Sequence, residues 1–428
     1  MPSQVNAYLL KFIKYGVIFL IVSMPFYAFL TVYGGYLFGH YTALRLYKET
    51  LLVLLMFASI YLVSTDRKLA KIFFGDKIIR LIILFAFIAL LWGVVSYLRG
   101  GVSLKAFGYG LIVDLRIFLI FAVSYLISLK IKLSETKLLK YILYPALAVV
   151  GFGLMQIFVL PHDFLSHFGY SIKTIMPYET INNNSQYVRI ISFLRGSNPL
   201  GTYLIIPLST LALVFINKSK LRFKSGLFFI MTSVVLLFSF SRSAWIGAVV
   251  SVGLVIYLKI SSQVVKKRLL YLVSAGFILS VISLFIFKNN SVYQNLIFHT
   301  QTTSVSNPSS DTGHLNGLSN GLHQIISNPI GSGTGTAGPA SVYNKKAPVR
   351  IAENFFIQIG QELGIIGLLV FIVIQVLLAV KLYKTKSDFG VIMLASLIGI
   401  SLVNLLSHAW ADDSLAYIWW GLAGFALK

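Results

Sequence analysis

The sequence predicts an all-α fold: a polytopic transmembrane helical bundle of about 12 spans, with two long extracytoplasmic loops. Three observations predict it. Hydrophobic residues make up 57% of the 428 and charged residues only 11%, where a soluble domain carries about 25% charged. So few charges cannot cover a water-facing surface, whereas lipid tails accept an apolar exterior. The apolar residues also fall in runs close to the ~20 residues that cross a hydrocarbon layer. Finally, Lys and Arg gather in every second connection between those runs, as cytoplasmic connections do.

In order along the chain, the runs lie near 14–33, 48–64, 80–98, 107–129, 138–160, 199–216, 225–240, 243–259, 268–287, 357–382, 388–407 and 411–427. The first follows Lys11 and Lys14 and is too long for a cleavable signal, so it is expected to remain as a span. The second and seventh are short and the last holds polar residues, so eleven spans would also satisfy the pattern. Arg67, Lys68, Lys71, Lys77 and Arg80 separate spans two and three. Lys130, Lys132 and Lys137 follow span four, and Lys218, Lys220, Arg222 and Lys224 follow span six. Lys259, Lys266, Lys267 and Arg268 follow span eight, and Lys381, Lys384 and Lys386 follow span ten. The even-numbered connections are thus basic and short, which puts them and both termini in the cytoplasm, with residues 1–428 forming one domain of the cytoplasmic (inner) membrane. The long connections at about 161–198 and 288–356 are left outside. The second is rich in Ser, Asn, Gly and Thr, and a loop of that length is either functional or disordered. Because the net charge of +23 is concentrated in these connections, no nucleic-acid partner is expected. The absence of cysteine excludes disulfides and thiolate metal sites.

Chemistry is expected at the outer face. Arg242, in FSFSRSAWIG, sits in the almost vanishing connection between spans seven and eight, flanked by Ser241 and Ser243. It reads either as an interfacial anchor beside Trp245 or as an anion site, because a guanidinium grips phosphate oxygens in pairs. Arg189 and Arg195, in YVRIISFLRGSNPLG, precede span six. Asn198-Pro199 can start that helix, whose N-terminus would then favour an anion beside the two arginines; each could equally be a solvated loop charge. Glu353 suits a helix start electrostatically, while Glu362 enters the membrane, where an ionisable group invites a functional reading or pairs with an arginine. Asp114 and Arg116 in span four read as a structural buried pair or as bridges between helices. NPIGSGTGTAG, residues 328–338, lacks the Lys-Ser/Thr of a phosphate loop and reads as an external turn or as amides lining a site. His314 is an isolated loop histidine. His408, Trp410, Asp412 and Asp413 suit a sugar or an aromatic belt.

Together these pieces resemble the bacterial O-antigen ligase and O-antigen polymerase superfamily. The motifs are Arg189 with Phe193 and NPLG, then SRSAW, then PIGSGTGTAG, then ENFFIQIGQELG, all between about 187 and 367 and in the family's order. The resemblance implies a glycosyltransferase that works outside the membrane on undecaprenyl-diphosphate-linked glycans, as donor and as acceptor, with no metal and no other cofactor. It implies diphosphate binding by Arg189 and Arg242, with Arg195 as a third. Ligases of this superfamily carry His at the start of the fourth motif as general base; Glu353 stands there instead, with His314 as a second acid–base candidate. Glu at that position fits the polymerase branch, which joins lipid-linked repeat units into a surface polysaccharide. The alternative acceptors are lipid A–core, a protein or a wall polymer, and the alternative class is a transporter of lipid-linked glycans. A partner that regulates chain length goes with the polymerase reading.

Overall fold

The computed structural model describes residues 2–181, 184–264, 266–268, 271, 286, 290 and 310–428, with side chains from residue 4 onward and, past 310, from residue 316. Its helices are α1 (Pro2–Ser23), α2 (Tyr27–Phe38), α3 (Tyr41–Leu44), α4 (Tyr47–Thr65), α5 (Arg67–Gly75), α6 (Lys77–Leu98), α7 (Leu104–Lys130), α8 (Glu135–Phe158), α9 (Ser197–Asn217), α10 (Arg222–Phe238), α11 (Arg242–Lys259), α12 (Ser310–Ser327), α13 (Phe355–Thr385), α14 (Asp388–Asn404) and α15 (Asp413–Ala426). One antiparallel pair, β1 (Glu179–Ile181) with β2 (Asn184–Arg189), is the only sheet among the described residues. The chain is therefore an all-α multi-pass membrane protein, as its composition requires.

Nine helical stretches among the described residues are long and apolar enough to cross a membrane. The first runs from Gln4 to Phe38 and is longer than expected, because α1 and α2 continue one another through a single tight turn at Met24–Phe26 that accommodates Pro25. The span expected at 268–287 lies outside the described residues. The last two expected spans form as helices, but short ones. At 1.5 Å per residue, the 14 residues of α15 reach only ~21 Å, less than the ~30 Å of hydrocarbon. Every residue from Asp413 to Ala426 is buried, so α15 is surrounded by protein rather than lipid. Trp410, Trp419 and Trp420 pack with one another there, and Trp420 meets Phe118 and Phe121 of α7 edge-on. The other interior helix is α9, buried continuously from Leu200 to Val214.

The even-numbered connections gather at one end of the bundle. Lys130, the last residue of α7, pairs with Asp66 between α4 and α5, and Lys381 pairs with Asp76 at the start of α6. Lys259, at the end of α11, pairs with Asp388, which also accepts from Asn217 Nδ2 at 2.7 Å. Five connections far apart in sequence thus share one polar, basic layer.

From the opposite end a non-helical segment enters the bundle. Of the long connection expected at 288–356, residues 310–327 form α12, and the glycine-rich stretch after it passes between α6, α7 and α13. Ser332 N donates to Gln361 O and Gly333 N to Glu362 O, both at 2.8 Å, and Ile365 N donates to Pro329 O at 2.9 Å. These bonds need α13 to open, and it does so at Gly364, whose φ of 68° and ψ of −170° are not helical. Irregular backbone at membrane depth survives only where protein satisfies it. Here Glu362 Oε1 accepts from both Gly335 N and Ala337 N at 3.0 Å, and Thr334 Oγ1 donates to Ala89 O at 2.7 Å. Gly335, at φ 89°, lies so close to the Ala106–Phe107 backbone that any Cβ would overlap it.

Glu362 therefore pairs with a loop rather than with an arginine. Its carboxyl is a neighbour of that of Asp114, which accepts from Gln358 Nε2 at 3.4 Å. Asp114 and Arg116 bridge to different helices: Arg116 reaches Asp413 and the Ala411 carbonyl, tying α7 to α15.

Candidate functional site

The site is built at the end of the bundle opposite the basic layer, where α9 and α11 both begin. α9 starts at Ser197, with Gly196 as the residue before it. That is earlier than Asn198-Pro199 suggests, but Pro199 still falls in the first turn, where an N–H would have no helical partner. α11 starts at Arg242 after Ser241. The two helices approach closely because Gly201 faces Ala244, Ser241 and Ser239 with no room for a Cβ. Two N-termini, each with free amides and a positive dipole end, are thereby set side by side.

Arg189 is brought to this place by strand pairing. Its backbone is held against the α10–α11 turn, where Ile190 N donates to Phe238 O at 3.3 Å. That turn is sharp, with Phe240 in the left-handed region at φ 49°. The Arg189 guanidinium donates through Nε to Ser239 O at 3.0 Å and through one NH2 group to Asn198 Oδ1 at 2.7 Å. Burial pulls its pKa below the ordinary value; Glu179 acts against this and the nearby Arg242 acts with it. It stays charged regardless, as arginines do, and its bond to Ser239 O holds it on the turn that leads into Arg242. Two guanidinium groups beside two helix N-termini make a positively charged place.

Glu179, which sequence reasoning missed, sets a negative charge against Arg189. Glu179 is the cross-strand partner of Arg189. Its carboxylate lies 3.8 Å from the Arg189 guanidinium and accepts from the Ser197 hydroxyl and, at 3.4 Å, from Ser197 N at the start of α9. An anion is thus already seated on this helix end. The only sequence signal was an acidic residue ten positions before Arg189 in a stretch expected to be loop.

The remaining candidates are placed as follows. Arg195 does not join Arg189; it is exposed and faces Asp412 and Asp413 on the other side of the same loop. Between the two arginines, Phe193 stacks on Phe152 at 4.5 Å. Ser192 is pinned to α8, its N donating to Gln156 Oε1 and its hydroxyl to Val149 O. Glu353 is exposed, with a left-handed backbone at φ 51°. Asn354 caps α13 and donates to Leu405 O at 2.9 Å, just past α14. α14 runs alongside α11, Gly399 against Gly247, so Glu353 belongs to the same end of the bundle as Arg242. His314 lies in α12 by its backbone, and its side chain lies outside the described residues. Trp410, Asp413 and their neighbours are buried, so the tail serves packing and pairing more than an aromatic belt.

No curated protein matches the chain. A family model described as O-antigen ligase matches residues 227–372, a stretch that runs from α10 through the SRSAW turn and the glycine-rich segment into α13. Over that third of the chain the sequence is similar to the O-antigen ligase family, and the match supports the resemblance to the O-antigen ligase and polymerase superfamily.

Proposed function

We propose that this membrane glycosyltransferase polymerises polyprenyl-diphosphate-linked repeat units, moving a growing glycan from its lipid diphosphate onto the non-reducing end of the next lipid-linked unit. The observation that supports the reading is the seat of the Arg189 guanidinium on Ser239 O and Asn198, in the turn that leads into Arg242, where the N-termini of α9 and α11 lie side by side. Breaking the bond between the anomeric carbon and the diphosphate leaves its electron pair on the departing lipid diphosphate. Fixed guanidinium groups and helix amides stabilise that charge as it forms. The acceptor hydroxyl attacks the anomeric carbon from the opposite face, inverting it, and passes its proton to the Glu353 carboxylate; a positioned base contributes about 10²–10⁴-fold. The left-handed backbone at Glu353 supports this role, because such strain persists where function over-determines a conformation. His314 is the second acid–base candidate. The site belongs on the extracytoplasmic side, with the basic layer and both termini in the cytoplasm.

The test is direct. Purified protein is given lipid-linked oligosaccharide in detergent, and the products are separated by size. A ladder of longer lipid-linked products is expected. A single transfer to lipid A–core or to a protein acceptor would replace polymerisation with ligation. No transfer, with translocation of the lipid-linked sugar in liposomes, would remove the enzymatic reading.

A further inference from the structure

We infer that the chain holds a second diphosphate subsite, formed by Arg45, Lys173 and Arg195 and separate from the Arg189–Arg242 site, that takes the lipid-linked acceptor. This rests on the polymerase reading, in which both substrates carry the same lipid diphosphate and so need two places of similar chemistry.

A polar cavity of about 110 Å³ lies between α2, the start of α4 and the loop before β1, lined by Tyr27, Thr31, Tyr41, Thr174 and Asp413 as well as the three cations. Its volume is that of a few water molecules. Pockets that enclose whole small molecules run to about 300–1,000 Å³, so this one suits a phosphate-sized head and leaves a sugar outside. The carboxylate in its wall is already neutralised: Asp413 is paired with Arg116 and, at 3.3 Å, with Lys48. Lys48 in turn lies 2.7 Å from Glu49. Arg116 and Lys48 thus pair with Asp413 and Glu49, and Arg195, which also acts on Asp412 and Asp413, faces the cavity with Arg45 and Lys173 from different elements. The geometry that presents them is built in. The Arg45 carbonyl is held by Tyr27 Oη at 3.2 Å and Lys48 Nζ at 3.0 Å, and its guanidinium packs over Tyr41. Lys173 projects from a tight turn in which Thr174 Oγ1 accepts from Ser171 N and donates to Gly169 O.

One rigid loop serves both places. Residues 189–195, locked by Ser192 on α8 and by the Phe193 ring in its aromatic cluster, carry Arg189 to the first site and Arg195 to the second. A loop with a phosphate-binding residue at each end fixes the spacing between two lipid head groups, which is the alignment a transfer between two lipid-linked chains requires.

The test counts ligands. Geranylgeranyl diphosphate is titrated into the full-length protein in detergent, and bound molecules per chain are read by native mass spectrometry. The inference expects two in the wild type, one in Arg45→Gln/Lys173→Gln, and one in Arg189→Gln/Arg242→Gln, with the remaining site differing between the two variants. Lys173→Gln alone, a change at an exposed side chain, is expected to weaken one of the two affinities at least threefold without lowering the thermal midpoint. A single molecule in the wild type, or two retained in Arg45→Gln/Lys173→Gln, overturns the inference. So does inorganic diphosphate filling the second site where the prenyl diphosphate does not, since that site would then serve a free anion. Two bound lipids with no product ladder would count against the polymerase reading and leave the second site standing.

Discussion

Glu362 offers a sharp separation of structure from chemistry. Its Oε1 is the acceptor for two buried amides, Gly335 N and Ala337 N, each at 3.0 Å. Its Oε2 and the Oδ2 of Asp114 have no hydrogen-bond partner among the described residues. Glu362→Gln keeps the amide acceptor and offers an NH2 group in place of Oε2, so the contact with the two amides survives. Glu362→Ala strands both amides, and each unsatisfied buried amide costs about 1–3 kcal/mol, a total loss of roughly 2–6 kcal/mol. Thermal unfolding in detergent, followed by tryptophan fluorescence, should place Glu362→Gln within a degree or two of the wild type and Glu362→Ala well below both. The polymerisation assay should find Glu362→Gln active. An inactive but normally stable Glu362→Gln would refute the reasoning and make Glu362 a participant in the reaction.

Three further outcomes follow from the same geometry. Arg242→Lys keeps the charge and loses the paired donors that match phosphate oxygens; product formation is expected to fall at least tenfold with the fold intact by unfolding midpoint. Glu353→Gln should abolish product while prenyl diphosphate binding stays unchanged, since a base acts on the acceptor hydroxyl and not on the diphosphate; unaltered turnover would exclude the assignment. Asp76 sits outside the spans. Burial works against its charge, but Lys381 and the Tyr125 hydroxyl outweigh that and hold its carboxyl below the ordinary value. A depressed folded pKa gives stability that is present above the unfolded value and is lost as pH falls through the folded one. The midpoint difference between wild type and Asp76→Asn should accordingly stay constant from pH 7 to pH 5 and shrink below about pH 4.

The spans were legible because their cause is local: a helix must be apolar for its own length, and the basic connections alternate. α9 and α11 each begin within two residues of the sequence reading. The length of α15 was less legible, since a helix enclosed by protein need not match the bilayer. The glycine-rich segment read as an external turn or as amides lining a site, and its entry into the bundle was not legible because nothing local says that Gly364 opens α13 to receive it. Arg189 and Arg242 could be paired only through the family motifs, as 52 residues lie between them. Glu179, Arg45 and Lys173 carried no pattern at all. Their roles arise from a cross-strand register and from loops that meet far from their neighbours in sequence.

The central claim is that a lipid diphosphate lies between the N-termini of α9 and α11 in the grip of Arg189 and Arg242. An electron cryomicroscopy structure of the protein with undecaprenyl diphosphate measures this most directly. The account predicts diphosphate density within hydrogen-bond reach of both guanidinium groups and of the Ser197 amide, with the Glu179 carboxylate displaced. Density only elsewhere at saturating ligand, with Glu179 still seated on Ser197, would contradict it.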